Sequence, residues 1–193
     1  REVTPNHHAL AEEFVLPDNF YCNGVLSADG HQWTNEGYVT DYLEKSFGGW
    51  PRSYPYEGDD ALAFASSGFI WDHVLRKGHS FRDYGEFVRA QITPNDATWT
   101  DIYTDYLNGT SNVQIRATSP LHTLEPYLCP TFIGFPGKVQ DVYRAREFIK
   151  ELQAAEAAGK WYDFMIMLLP NDHTVGTREG YPTPAAMVAD NDL

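Results

Sequence analysis

The sequence predicts an α/β fold, because helical patterns alternate along it with strand-like apolar runs. The clearest helix covers residues 139–158, where apolar side chains recur at helical spacing and Gly159 follows. Residues 162–169 come next and are almost wholly apolar up to Pro170. An apolar run of this length after a helix is typical of a buried central strand in a parallel sheet. We therefore expect an α/β sandwich with a mostly parallel central sheet.

Four elements are predicted before the middle of the chain. A helix begins at Thr4-Pro5, where a hydroxyl residue precedes proline at the first helical position, and it runs to about residue 15. Residues 20–26 are predicted to form a short strand and residues 27–30 a turn. A second helix is expected to resume near Thr34 and to end at the glycine pair 48–49.

The middle of the chain is predicted to contain a long surface loop over residues 50–67, which are rich in Pro, Gly, Tyr and Asp. Its acidic run, residues 57–60, is either a solvated loop tip or a cation site. The remaining predicted elements are, in chain order, a helix over 69–75 ended by Gly78, a strand over 80–88 broken at Gly85, a short helix over 99–107 and a final helix from Thr183-Pro184.

Length and charge exclude several classes of function. The 193 residues predict one domain, 1–193, with a sizeable core. The formal net charge of −13 argues against nonspecific binding to nucleic acid or to an anionic membrane surface, since both require a basic face. No apolar run approaches the length of a membrane-spanning helix. Cys22 and Cys129 are either free and buried, which we favour, or joined in one bridge.

The first polar cluster follows the predicted strand of residues 20–26 and contains Ser27, Asp29, Gly30 and His31. Serine is a weak nucleophile unless a base or a metal ion lowers the cost of ionising it. Asp29 and His31 lie close enough in sequence to coordinate a metal ion or to hold a phosphate. The same residue types are common in ordinary polar turns, so the local sequence leaves both interpretations open.

A second polar cluster, Asp172-His173, comes directly after the apolar run 162–169. A carboxylate and an imidazole together suit zinc or another divalent ion, and either group can serve as a general acid or base. Alternatively, these side chains only bond the end of a strand to the next loop. Ligands in open α/β sheets bind beyond the carboxyl ends of the strands, so we expect both clusters to face one site.

Several motifs together resemble the alkaline phosphatase superfamily. The helix starting Thr4-Pro5-Asn6 is followed by an aromatic segment and then by Ser27-Ala28-Asp29-Gly30-His31. In that superfamily a basic residue, here His31, follows the nucleophile position, here Ser27, by four residues. Residues 69–84 and 169–173 look most like the phosphoesterase family of bacterial phospholipases C and acid phosphatases. The resemblance is strongest to domains that some bacteria attach behind a β-propeller in exported proteins.

The resemblance implies a metal-dependent phosphoric ester hydrolase in which Ser27 attacks phosphorus. It implies catalytic roles for Ser27, His31 and His173, and a divalent ion (zinc, calcium or manganese) held by Ser27, Asp172 and His173. The implied substrate is a small phosphate ester or a phospholipid-like molecule, and the implied location is periplasmic, cell-surface or secreted. Such families take further metal ligands from earlier and later segments, so we expect a partial domain with an incomplete metal site and a β-propeller in the full-length chain.

Two other functions are compatible with parts of this pattern. A non-catalytic binding or cell-surface module would keep the phosphoesterase fold, with the aromatic loop around Trp50, Tyr54 and Tyr56 contacting carbohydrate or another protein. A sulfatase is disfavoured, because Asp29 stands where sulfatases have proline.

Overall fold

The structure is a computed structural model that describes residues 2–46 and 60–193. Over these ranges the protein is a mixed α/β fold with seven α-helices and four short strands. The helices are α1 (Pro5–Glu13), α2 (Ser27–Glu36), α3 (Asp41–Lys45), α4 (Ile70–Arg76), α5 (Trp99–Asn108), α6 (Asp141–Ala158) and α7 (Pro184–Asp192). The strands are β1 (Phe81–Tyr84), β2 (Arg89–Thr93), β3 (Gln114–Thr118) and β4 (Phe164–Met167). Among the described helices, none is long and apolar enough to cross a membrane.

The strands pair into two separate two-stranded sheets. Strands β1 and β4 run parallel, with Phe81 opposite Phe164 and Tyr84 opposite Met167. Strands β2 and β3, which the sequence did not predict, form an antiparallel pair. The parallel pairing of β4 confirms the predicted parallel strand. Its predicted central position is wrong for the described part of the chain, where β1 is its one partner and Met165 and Met167 are each 38% exposed.

An aromatic stack joins α4 to the parallel pair. Trp71 is fully buried and stacks on Phe69, with ring centroids 4.3 Å apart, and on Phe81 at 5.9 Å. Phe81 in turn stacks on Phe164 across the two strands, also at 5.9 Å. Aromatic side chains bury the largest apolar areas in a core, so this stack is a main support for the β1–β4 pair.

Hydrogen bonds join the first described helix, α1, to the last, α7. The Asp192 carboxylate accepts hydrogen bonds from the backbone N–H groups of Asn6 at 3.0 Å and His7 at 2.7 Å. Asn6 Nδ2 donates to the Asp192 backbone carbonyl at 2.9 Å. The first turn of a helix has unpaired N–H groups and favours a nearby negative charge. The helix predicted from Thr4-Pro5 is therefore confirmed, but its first turn is satisfied by α7, without a side-chain cap from Thr4.

Most of the other helix predictions are confirmed, with bounds shifted by a few residues. Helices α4, α5, α6 and α7 form where the sequence predicts them. Strand β1 ends at Tyr84, directly before Gly85, whose φ is +101°, and residues 86–88 of the predicted strand are not in a strand. The buried face of α6 is polar, however, and consists of Asp141, Arg144 and Glu147. Cys22 and Cys129 are both free, but only Cys129 is buried, so the predicted burial of Cys22 is wrong.

The predictions for residues 20–46 are partly wrong. Residues 20–26 form no strand, and Phe20 and Tyr21 are 80% and 82% exposed. The predicted turn over residues 27–30 is helical, because α2 already begins at Ser27 and continues until Gly37 adopts a left-handed φ of +64°. The predicted helix end at 48–49 and the loop carrying Trp50, Tyr54 and Tyr56 lie outside the described residues. Of the acidic run 57–60, only Asp60 is described; it is buried and accepts a hydrogen bond from the Tyr42 hydroxyl at 2.8 Å.

Candidate functional site

Ser27 is the first residue of α2, and it is exposed. The start of the helix is fixed by Asp29, whose carboxylate accepts hydrogen bonds from the backbone N–H groups of Val25 at 2.8 Å and Leu26 at 2.7 Å. An acidic residue in the first turn also complements the helix dipole. Asp29 therefore caps the helix that presents Ser27, and its two carboxylate oxygens already have backbone partners.

The backbone at Gly24 packs closely against the first turn of α2, at Gly30. A Cβ atom on Gly24 would lie 2.7 Å from Gly30 Cα and 2.8 Å from Gly30 N, closer than such atoms approach in proteins. A Cβ atom on Gly30 would meet nothing within 4 Å. Gly30 lies within α2 and not in the predicted turn. The residue whose small size is needed here is Gly24.

Alanine at these two positions is expected to have opposite effects on stability. Gly24→Ala should lower the free energy of unfolding by about 1–3 kcal/mol, because the added methyl group overpacks the backbone of α2. Gly30→Ala should raise it by up to about 1 kcal/mol, because alanine favours a helix interior over glycine. Urea unfolding of both variants measures the two effects. Equal shifts of the same sign would contradict the close approach of the two segments.

A buried carboxylate orients His31. Glu86 Oε1 lies 2.7 Å from His31 Nδ1, and Asn35 Nδ2 donates to the same oxygen at 2.7 Å. The Glu86 side chain is only 5% exposed. Residues four apart on a helix share a face, so Ser27 lies one helical turn from this oriented imidazole. A serine, a histidine and a carboxylate that holds the histidine form the arrangement used in many nucleophilic sites.

Glu86 is the residue that sequence reasoning missed. It lies just beyond the carboxyl end of β1, after Gly85, so the available signal was an acidic residue directly after a predicted strand break. Asp83 of β1 is also fully buried, and its carboxylate accepts a hydrogen bond from Gly85 N at 3.2 Å. Burial, and then the nearby charge of Glu86, raise the pKa of Asp83 well above its usual range. The carboxyl end of β1 therefore carries two buried acids, of which Glu86 contacts His31.

A cleft of about 450 Å³ lies between α2 and β4, and its lining includes Phe164 at the start of the strand and Leu168 just after its end. Its polar side is formed by His31, Asn35 and Glu86, and its apolar side includes Ile70, Ile166 and Met167. In open α/β sheets, ligands bind outside the carboxyl ends of the strands. This cleft instead lies along the length of β4, and on its other side it runs along α2, the helix that begins with Ser27.

The second polar cluster lies in a 3₁₀ turn, Asn171–His173, that follows β4. Asn171 is buried, with its backbone N–H donating to Asp141 Oδ2 at 3.0 Å and its Nδ2 donating to Val139 O at 3.0 Å. Asp172 and His173 are both exposed, and the His173 ring packs edge-on against Phe135 at 5.5 Å. No hydrogen bond or ion pair between described residues joins Asp172 or His173 to Ser27, so the structure does not bring the predicted ligands into direct contact.

The described residues contain no ready-made cluster of metal ligands. Within residues 2–46 and 60–193, no group of three or more His, Cys, Asp or Glu side chains could hold a metal ion. Asp29 is bonded to backbone and Glu86 to His31 and Asn35, which leaves Asp172 and His173 as an adjacent exposed pair. A divalent ion needs more protein donors than this pair in one place. The zinc, calcium or manganese site therefore stays a prediction from the resemblance.

Glu36, the last residue of α2, is a half-buried acid at the other end of the same helix. Its Oε2 accepts a hydrogen bond from Ala65 N at 2.6 Å, while its buried Oε1 has no hydrogen-bond partner among the described residues. Burial, with a smaller contribution from the charge of Asp72, raises the pKa of Glu36 to about 7, although the Ala65 hydrogen bond opposes this shift. The folded protein thus binds a proton at Glu36 over a pH range in which the unfolded chain does not.

This raised pKa predicts that Glu36 destabilises the fold as the pH rises from about 4.5 to about 7. Below this window Glu36 is protonated in both the folded and the unfolded state, so its ionisation does not lower the free energy of unfolding. Glu36→Gln should therefore be more stable than the unmodified protein by about 1 kcal/mol at pH 8, after allowance for solvent screening, and equally stable at pH 4. Urea unfolding at the two pH values measures this difference. A gain of the same size at both pH values would contradict it.

Comparison of this chain with protein-family models, with curated proteins and with solved structures found no match. The cleft combines an imidazole oriented by a buried carboxylate with an apolar wall, and the exposed Ser27 hydroxyl lies outside its lining, at the start of α2.

Proposed function

We propose that this chain is part of a phosphoesterase domain of the alkaline phosphatase type, a metal-dependent phosphoric ester hydrolase whose nucleophile is Ser27. One observation carries the proposal: Ser27 is exposed in the first turn of α2, one turn before His31, which Glu86 holds at 2.7 Å. The start of a helix favours a phosphate group, because its free N–H groups and dipole stabilise negative charge. The metal dependence, the exported location and the β-propeller rest on the resemblance alone.

The proposed reaction takes place at this helix start. Ser27 Oγ attacks phosphorus, a phosphoserine forms, and the bond to the leaving alcohol breaks. Water then cleaves the phosphoserine, which releases inorganic phosphate and restores the hydroxyl. In this proposal His31, one helical turn away, takes the serine proton and passes it to the leaving alcohol, and its contact with Glu86, which also binds Asn35, orients the ring.

The decisive experiment traps the covalent intermediate. The full-length protein that contains these residues is supplied with zinc, calcium or manganese and with p-nitrophenyl phosphate, quenched in acid and digested for mass spectrometry. We expect release of p-nitrophenol and one phosphoryl group on the peptide that carries Ser27. Turnover with the phosphoryl group on another residue would refute the nucleophile assignment. Absence of turnover with all three ions would refute the proposed function.

A second candidate function is a non-catalytic binding or cell-surface module. It is favoured by an apolar surface on residues 14–21, where Phe14, Val15 and Leu16 are 63%, 92% and 65% exposed. Contiguous exposed apolar patches commonly mark interaction sites. This candidate predicts a folded protein that takes no phosphoryl group in the trapping experiment, so the same measurement separates the two functions.

A further inference from the structure

The cleft beside α2 is suited to an uncharged group. Ile70, Ile166 and Met167 are among its lining residues, and its polar side carries the Glu86 carboxylate. A phosphate group inside the cleft would lie close to that carboxylate in a chain of formal charge −13, and like charges repel. The proposed function places the phosphate of an ester at Ser27, which does not line the cleft.

The helix connects these two places. Ser27, His31 and Thr34 follow one another at spacings of four and three residues, so they lie on one face of α2. His31 and Thr34 line the cleft, and Ser27 precedes them on the same face. At a rise of about 1.5 Å per residue, Thr34 lies about 10 Å along the helix axis from Ser27. A molecule with its phosphate at Ser27 would direct its other end into the cleft.

We propose that the cleft binds the leaving group of the phosphate ester, and that this group is a single aromatic ring or a short branched alkyl group. The assignment of a leaving group rests on the proposed function, whereas the binding of an apolar ring in the cleft does not. The cleft volume of about 450 Å³ is that of a pocket for a small ligand, not for the paired acyl chains of a phospholipid. This narrows the substrate class to compact apolar phosphate monoesters or diesters.

The two methionines of β4 provide a matched test. Met165 and Met167 lie on the same strand and are each 38% exposed, but only Met167 lines the cleft. With the full-length protein, Met167→Ala should weaken binding of phenylphosphonate, a non-hydrolysable probe, about tenfold by calorimetry. Met165→Ala should leave this affinity unchanged, and neither variant should change the affinity for methylphosphonate, which has no ring. The KM for phenyl phosphate should rise by the same factor in Met167→Ala only.

The possible outcomes separate this inference from the proposed function. Equal effects of Met167→Ala and Met165→Ala on phenylphosphonate binding would overturn the inference, even if Ser27 is the nucleophile. Tighter binding of a long-chain alkylphosphonate than of phenylphosphonate would overturn the size limit. If Ser27→Ala keeps full turnover while Met167→Ala alone weakens phenylphosphonate binding, the apolar site is supported and the nucleophile assignment fails.

Discussion

Ser27→Ala is expected to lower kcat on p-nitrophenyl phosphate by at least about a thousandfold, because removal of a nucleophilic oxygen abolishes the covalent route. The folded state should change little. Ser27 is exposed at the first position of α2, and alanine is at least as favourable as serine in a helix. The free energy of unfolding should therefore stay within about 0.5 kcal/mol of its original value. A large loss of activity with unchanged stability is a combination that a purely structural role for Ser27 would not produce.

Ser66→Ala is the matched control for this prediction. Ser66 is another exposed serine, located in the turn before α4, and it lines no described cleft. Its replacement should leave both kcat and the unfolding midpoint unchanged. Steady-state assays with each of the three divalent ions, together with urea unfolding, give both quantities for both variants. Unchanged turnover in Ser27→Ala would remove the basis for assigning the nucleophile.

Local signals in the sequence were sufficient to predict those helices whose starts or ends are fixed by residues at the helix ends. Proline after a threonine marks the starts of α1 and α7, and glycine marks the ends of α4 and α6, because these residues act within one turn of the chain. The antiparallel pair β2–β3 joins residues 89–93 to 114–118, and no local pattern specifies such a distant partner. The strand predicted over residues 20–26 does not form. A segment with strand propensity needs a partner strand, and none of the described strands pairs with these residues.

The candidate site was predicted only in part, because the sequence shows which residues are neighbours along the chain but not which distant residues meet in the fold. Ser27 and His31 were singled out because they lie four residues apart in a single motif, and the structure places both on α2, one helical turn apart. Glu86 lies 55 residues from His31, so their 2.7 Å contact could only be found in three dimensions. For Asp29 the sequence left open a metal or phosphate ligand and an ordinary turn residue, and its position three residues after Leu26 makes it the cap of the helix. The Asp29 carboxylate therefore satisfies backbone N–H groups at the helix start.

A buried arginine holds the turn that carries Asp172 and His173. Arg144 is fully buried, donates to Asp141 Oδ1 at 2.9 Å and to Ile133 O at 2.8 Å, and makes further bonds to the carbonyls of Val139, Gly134 and Pro136. Asp141 Oδ2 in turn accepts a hydrogen bond from Asn171 N at 3.0 Å. The position of the turn thus depends on an ion pair that is shielded from water.

Arg144→Met is expected to lower the free energy of unfolding by about 3–5 kcal/mol, because it leaves the Asp141 carboxylate buried without its cation. The matched control is Arg146→Met on the same helix, which removes a partly exposed arginine paired with Glu147 and should cost only about 1 kcal/mol. Guanidinium unfolding measures both.

The pH dependence identifies the cause of the loss in Arg144→Met. Burial raises the pKa of Asp141, and Arg144 opposes that shift. Without Arg144 the pKa must rise further, so the cost of the substitution should shrink as the pH falls and Asp141 takes up a proton. A cost that is independent of pH would mean that Arg144 acts through its carbonyl hydrogen bonds, not through Asp141. A cost no larger than that of Arg146→Met would mean that the turn at Asp172 and His173 is held by other contacts.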